Sequence, residues 1–162
     1  MFYREADHFT LDELRLHGPN VASFQLAPRG KMWYVVRCYI SPDDDLTIEA
    51  VVAATSQKPC GADLLVIGNF NADLESPEKN VRDEESDAAL NTTGLEDMGA
   101  HFFPRRKPWL RDGHTWSMLR GGREVGSQTD YILGTDRHLL HNVSVHDARH
   151  NTYRYLVMGC LR

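Results

Sequence analysis

The stretch LLVIGNFNADLESPE, Leu64 to Glu78, decides how this chain is read. Leu64 to Ile67 is short and wholly apolar, as expected of a strand covered on both faces. Gly68 breaks the run, an Asn-rich turn follows at Asn69-Phe70-Asn71, and acidic residues come after it. Such a segment is either an ordinary turn after a buried strand or a loop that holds chemistry at a strand end. The rest of the chain has to distinguish the two.

Working outward, Val21 to Leu26 and Met32 to Ile40 are β-branched and aromatic runs joined by Pro28-Arg29-Gly30-Lys31, a hairpin signal. Ser41-Pro42 ends the second run. A helix is expected from about Asp45 to Thr55, capped by Asp44 or Asp45 and stopped by Pro59. A second helix is expected over Arg82 to Thr92. Acids crowd its first turns, matching the helix dipole, and Gly94 stands where a left-handed cap belongs. Further strands are expected at Thr115 to Leu119, Thr129 to Leu133, Val143 to Asp147 and Tyr153 to Cys160, with another at Met1 to Arg4. Strands outnumber helices and helices lie between some of them, which predicts a mixed α/β sandwich with substantial antiparallel pairing.

Composition bounds the function. The 162 residues suit one domain with a real core, and 41% apolar against 25% charged residues describes a globular chain. No apolar run approaches the eighteen or so residues of a membrane span. MFYREADHF at the N-terminus has neither the basic nor the apolar region of a secretory signal, so an intracellular setting, nuclear or cytoplasmic, is expected. Cys38, Cys60 and Cys160 show no metal spacing and read as reduced structural thiols. The eight histidines have no ligand spacing either. A net charge of −5 argues against blanket affinity for nucleic acid. Yet Arg105, Arg106, Lys107, Arg111, Arg120 and Arg123 gather in one segment with Trp109 and Trp116, a local patch able to hold a phosphate backbone.

Three strand-end stretches, in this order and spacing, carry a specific signal: Tyr39-Ile40-Ser41-Pro42, Gly68-Asn69-Phe70-Asn71, and Ser127-Gln128-Thr129-Asp130-Tyr131. Together they resemble the endonuclease/exonuclease/phosphatase superfamily, and most of all the endonuclease domain of non-LTR retrotransposons, related to abasic-site endonucleases and pancreatic deoxyribonuclease. Tyr39 to Pro42 is similar to the family's Tyr-x-x-Pro segment. Gly68 to Asn71 is similar to its Gly-Asp-Phe-Asn loop, Thr115-Trp116 to its Thr-aromatic strand, and Ser127 to Leu133 to its Ser-x-x-Asp-Tyr-Ile-Leu strand. His150 to Arg162 aligns with the segment that reads Ser-Asp-His before the last strand.

The resemblance implies a four-layer α/β/β/α sandwich with mostly antiparallel sheets. It is partial here, because the family's N-terminal part, with an Asn and a metal-binding Glu, has no counterpart. Residues 1–162 are thus expected to form a single, N-terminally truncated domain. It also implies DNA nicking by phosphodiester hydrolysis with Mg2+ or Mn2+, in which the loop Asp activates water and a His paired with the strand Asp handles the phosphate.

Against that pattern the catalytic positions are Asn69, Asn71, Asp130, Arg154 and Tyr39, with Tyr153 at a metal-ligand position and Arg105, Arg106, Lys107, Arg111, Thr115 and Trp116 as nucleic-acid contacts. Asn69 stands where the family has Asp, and an amide cannot accept a proton from water. Tyr153 removes a carboxylate that magnesium favours. Arg154 replaces His and does not exchange protons near neutral pH. One positioned acid–base group is worth about 10²–10⁴-fold in rate, so a degenerate pseudoenzyme is expected. Asp130, having lost its histidine, is expected to pair with Arg154. The alternatives are an active, divergent phosphohydrolase of the same superfamily, a non-catalytic nucleic-acid-binding remnant using Arg105 to Arg123, or a decaying relic. Truncation of a two-sheet core further predicts self-association or a partner segment covering the exposed sheet.

Overall fold

The computed structural model describes residues 11–27, 30–41, 43, 46–74, 79–102, 115–136, 138–146 and 156–161. The expected strand at Met1 to Arg4, the Pro28-Arg29 turn and the Asp44–Asp45 cap lie outside the described residues.

Strands β1 (Leu11–Leu16), β2 (Val21–Leu26) and β3 (Trp33–Tyr39) form an antiparallel meander. Helix α1 (Leu46–Ser56) then crosses to β4 (Asp63–Asn69), which pairs parallel to β3 from Trp33–Asp63 to Tyr39–Asn69. A parallel pair needs such a crossover, and α1 supplies it. After α2 (Val81–Thr93) come the two-residue β5 (Glu96–Asp97), the short α3 (Met98–Phe102) and a hairpin of β6 (Trp116–Arg120) and β7 (Arg123–Ser127). Strand β8 (Asp130–Gly134) returns antiparallel to β4, and β9 (Leu140–His146) pairs with β10 (Leu156–Leu161). The main sheet has the order β1-β2-β3-β4-β8-β5, with two two-stranded ribbons beside it. Among the described residues, all pairings except β3–β4 are antiparallel, as expected.

Strand alternation sorts the core into two layers. Tyr34, Val36 and Cys38 of β3 and Leu64 and Val66 of β4 pack with Val51 and Ala54 of α1 and Leu90 of α2. Their neighbours Trp33, Val35 and Leu65 face the other way, against Phe24, Leu26, Met98, Leu139, Leu140 and Val143. Strand β4 is therefore covered on both faces, which explains its unbroken apolar run. Each such fully buried side chain contributes about 1.5–3 kcal/mol.

The helices form for local reasons. In α1 the buried residues Thr47, Val51, Ala54 and Thr55 follow helical spacing. Helix α2 opens with a capping box: the Asn80 side chain accepts from Asp83 N, while Asp83 Oδ2 accepts from Asn80 N at 3.0 Å. It ends at Gly94, φ 66°, as the sequence predicts.

Three strands were not expected from sequence, the two-residue β5 among them. Strand β1 turns its apolar Leu14 and Leu16 to solvent, 63% and 77% exposed, so no buried face marks it. A bulge between Asp12 and Arg15, with Glu13 at φ 52°, also breaks its alternation. Strand β7 follows Gly121-Gly122, φ 58° and 78°, whose double glycine is a two-residue hairpin signal that was there to be read.

Candidate functional site

The end of β4, the end of β3 and the start of β8 meet at one end of the main sheet's inner strands, because Asn69 sits opposite both Tyr39 and Asp130 in register. Gly68 makes this approach possible. At φ 151° it lies so close to β3 that a Cβ there would stand 1.9 Å from the Cys38 carbonyl oxygen. The glycine of the motif is thus a close-approach residue.

Asn69 is 7% exposed. Its Oδ1 accepts the backbone N–H of Asn71 at 2.9 Å, closing an Asx turn. Its Nδ2 donates to Asp130 Oδ1 at 3.0 Å and lies 3.4 Å from Thr129 Oγ1. Asn71 holds a left-handed conformation, φ 48°, and its Nδ2 donates to the Ile40 carbonyl at 2.7 Å. Asn tolerates that region better than most residues. Backbone bonds join the same strands, from Ile40 N to Asn69 O at 2.8 Å and from Phe70 N to Thr129 O at 2.7 Å.

Thr115, 1% exposed, anchors the third side. Its Oγ1 accepts from both Thr129 N and Asp130 N at 2.9 Å, so one hydroxyl satisfies two backbone donors at the start of β8. Thr129 Oγ1 in turn donates to Asp130 Oδ2 at 3.2 Å. The loop beyond Asn71 is held as firmly. Asp83 Oδ1 accepts from Asp73 N at 2.8 Å, and the Tyr131 hydroxyl accepts from Leu74 N at 2.9 Å while donating to Gln128 O at 2.8 Å. Phe70 packs edge-on against Tyr131, centroids 5.7 Å apart. Asp83 was not singled out in the sequence, and Tyr131 was quoted there only as part of the Asp130-Tyr131 motif. Asp83 is disguised there as one more acid in the first turn of a helix.

The buried Cys38 thiol borders this network. Burial pushes its pKa from 9.0 up to about 12, Asp130 adding to the rise and Arg37 opposing it. Cys38 is the expected inert thiol, whereas Cys60 is exposed.

The structure therefore brings together Asn69, Asn71, Thr115 and Asp130. Tyr39 lies beside them in register and is 40% exposed. Tyr153 and Arg154, and with them the expected Asp130–Arg154 pair, lie outside the described residues, as do Arg105, Arg106, Lys107 and Arg111. Trp116 opens β6, next to Thr115.

A divalent metal fits the described residues poorly. No group of three His, Cys, Asp or Glu converges among them. The site offers one carboxylate, Asp130, whose two oxygens already accept from Asn69 and Thr129. Magnesium favours several charged or water oxygens in octahedral array, and neutral amides committed to other bonds do not supply them.

No family model matches the sequence, and no curated protein matches it. Solved structures do. A 3' phosphatase from Neisseria, solved with a product DNA hairpin, superposes with a TM-score of 0.69 at 17% identity, over 94% of this chain and 72% of that one. The endonuclease domain of TRAS1, a telomere-specific non-LTR retrotransposon, gives 0.66 at 18% identity, covering 93% and 68%. An AP endonuclease from Leishmania major gives 0.65 at 12% identity, covering 88% of this chain and 54% of that one. An endonuclease/exonuclease/phosphatase family protein from Leptotrichia buccalis gives 0.61 at 15%, again with little more than half its length, 53%, covered. With Gly68, Asn69, Asn71, Thr115 and Asp130 gathered at the ends of its inner strands, this chain has the endonuclease/exonuclease/phosphatase fold.

Proposed function

We propose that this chain is a retrotransposon-type endonuclease-like domain whose hydrolytic centre is disabled. The observation that carries this reading is the state of Asn69. It occupies the position where the resembled family has its water-activating aspartate, and its side chain is a hydrogen-bond donor to Asp130 rather than a proton acceptor facing open space. In-line attack of water on a phosphodiester requires a positioned proton acceptor and stabilisation of charge on the phosphoryl oxygens. Neither Asn69 nor Asn71 accepts a proton, and Asp130, the site's one carboxylate, is held by hydrogen bonds from Asn69 and Thr129. Apart from Asp130, what the site retains is neutral and polar.

The test is nicking of supercoiled plasmid by purified protein in Mg2+ or Mn2+, with EDTA as control. We expect no metal-dependent nicking above background. EDTA-sensitive nicking that disappears in Asp130→Ala would overturn the reading in favour of an active, divergent phosphohydrolase.

A second reading, retention of a grip on nucleic acid, is supported by the basic segment Arg105, Arg106, Lys107 and Arg111 and by the DNA hairpin bound to the Neisseria neighbour. Binding of this kind weakens with salt as counterions are released. Filter binding of duplex DNA in EDTA should fall steeply across a salt series and fall further when Arg105, Arg106 and Lys107 are changed to Ala. No binding at low salt would rule it out.

A further inference from the structure

Strand β1 is an outer strand of the main sheet, bonded to β2 on one side and unpaired on the other among the described residues. Its residues Asp12 to Leu16 are all exposed, Leu14 and Leu16 among them. The bulge gives this edge a symmetry that is not visible along the chain. Asp12 lies opposite Gln25, and Arg15 lies opposite Ser23. Gln25 and Ser23 are two residues apart on β2 and so share a face of the sheet. Asp12 and Arg15 therefore share that face as well. In an unbulged strand, residues with their spacing would point to opposite faces.

We infer that β1 is a docking edge for β1 of a second copy of this chain, laid antiparallel about a two-fold axis through the bulge. Directly opposed residues of an antiparallel pair stand side by side on one face. With the axis between Glu13 and Leu14, Asp12 of each copy comes opposite Arg15 of the other. Both contacts then join opposite charges on the same face, as a self-complementary interface requires. A bulge ordinarily protects an edge from such pairing. Here it meets a bulge of equal length, so neither strand is left with an unmatched residue.

The charges are available for this contact. Among the described residues Asp12 makes no ion pair. Glu13 Oε2 accepts from Arg15 Nη2 at 2.9 Å and from Gln25 Nε2 at 2.8 Å, which occupies only part of the Arg15 fork. Leu14 and Leu16 lose contact with water on pairing, which favours it. An interface of one strand a side is small, so association in the micromolar range or weaker is expected. Strands β2 and β3 stand between this edge and β4, so the inference is independent of whether the site hydrolyses anything.

The experiment is sedimentation velocity of the full chain and of two charge variants, Asp12→Arg and Arg15→Asp, over a concentration series. The parent should pass from monomer to dimer as concentration rises, and the dimer should weaken as salt is added. Each variant alone sets like charges opposite each other at both contacts. Its dimer dissociation constant should rise by about tenfold or more. An equimolar mixture of the two variants restores opposite charges at both contacts and should dimerise about as well as the parent. A parent that stays monomeric, variants that dimerise like the parent, or a mixture no better than its components would overturn the proposal.

Both substituted positions are exposed, so the variants should fold. Should one fail to, hydrogen exchange on the parent decides. Backbone amides of β1 should gain protection as concentration rises, while those of the β6–β7 hairpin should not. Exchange of β1 at the same rate in dilute and concentrated protein would sink the idea.

Discussion

Strand β4 is tied down at both ends, by opposite means. At its start, Asp63 pairs with Lys31 at 2.9 Å, with the two side chains 30% and 49% exposed. Lys31 also lies over the Trp33 ring, 4.8 Å from its centroid. At its end, Asn69 and Asp130 bond with Asn69 only 7% exposed, and Thr115 behind them is 1% exposed. Water can stand in for either partner at the first end. At the second, Asn69 and Thr115 are shielded from it, so a partner lost to either leaves a buried donor or acceptor without one. Charge strength does not rank these two ends; accessibility to water does.

The comparison can be pressed at three points. The largest effect is expected from Gly68→Ala, since the added Cβ would collide with the backbone of β3 and not with a movable side chain. We expect a loss of about 4 kcal/mol or more, seen by circular dichroism as a chain without a cooperative urea transition. A normal transition would mean that β3 and β4 can separate at this end without unfolding the sheet.

Thr115→Val comes next. It preserves shape but strips the acceptor from two backbone N–H groups. Unsatisfied buried donors cost about 1–3 kcal/mol each, so the urea midpoint should fall clearly with an unchanged slope. Thr115→Ser, which keeps the oxygen, should lose much less. Equal losses in the two variants would show that the methyl group, not the hydroxyl, matters.

Lys31→Ala should change least. An exposed pair of this kind is worth ~0.2–1 kcal/mol, with a small cation–π contribution added at most. A loss comparable to that of Thr115→Val would erase the contrast between the two ends.

Much of the framework was legible along the chain. The runs that became β2, β3 and β4 declare themselves by apolar content, and Gly94 by its place at a helix end. These are local signals, written within a few residues. Strand β1 escaped because Leu14 and Leu16 point to water, so the period of two carried no burial there. The positions of the site were legible too, but only through the order of three weak stretches and the family they resemble.

The sequence by itself determined that position 69 carries an amide, a side chain that does not accept a proton near neutral pH. It also determined that Gly68 and Asn71 flank that amide with residues suited to unusual backbone conformations. Only the tertiary structure decided what the amide does. Asn69 and Asp130 are 61 positions apart and meet because β8 lies antiparallel to β4. The same pairing fixes which end of the amide faces which neighbour. A donor's partner is set by strand register, and register is a property of the folded sheet, settled by which faces can be buried.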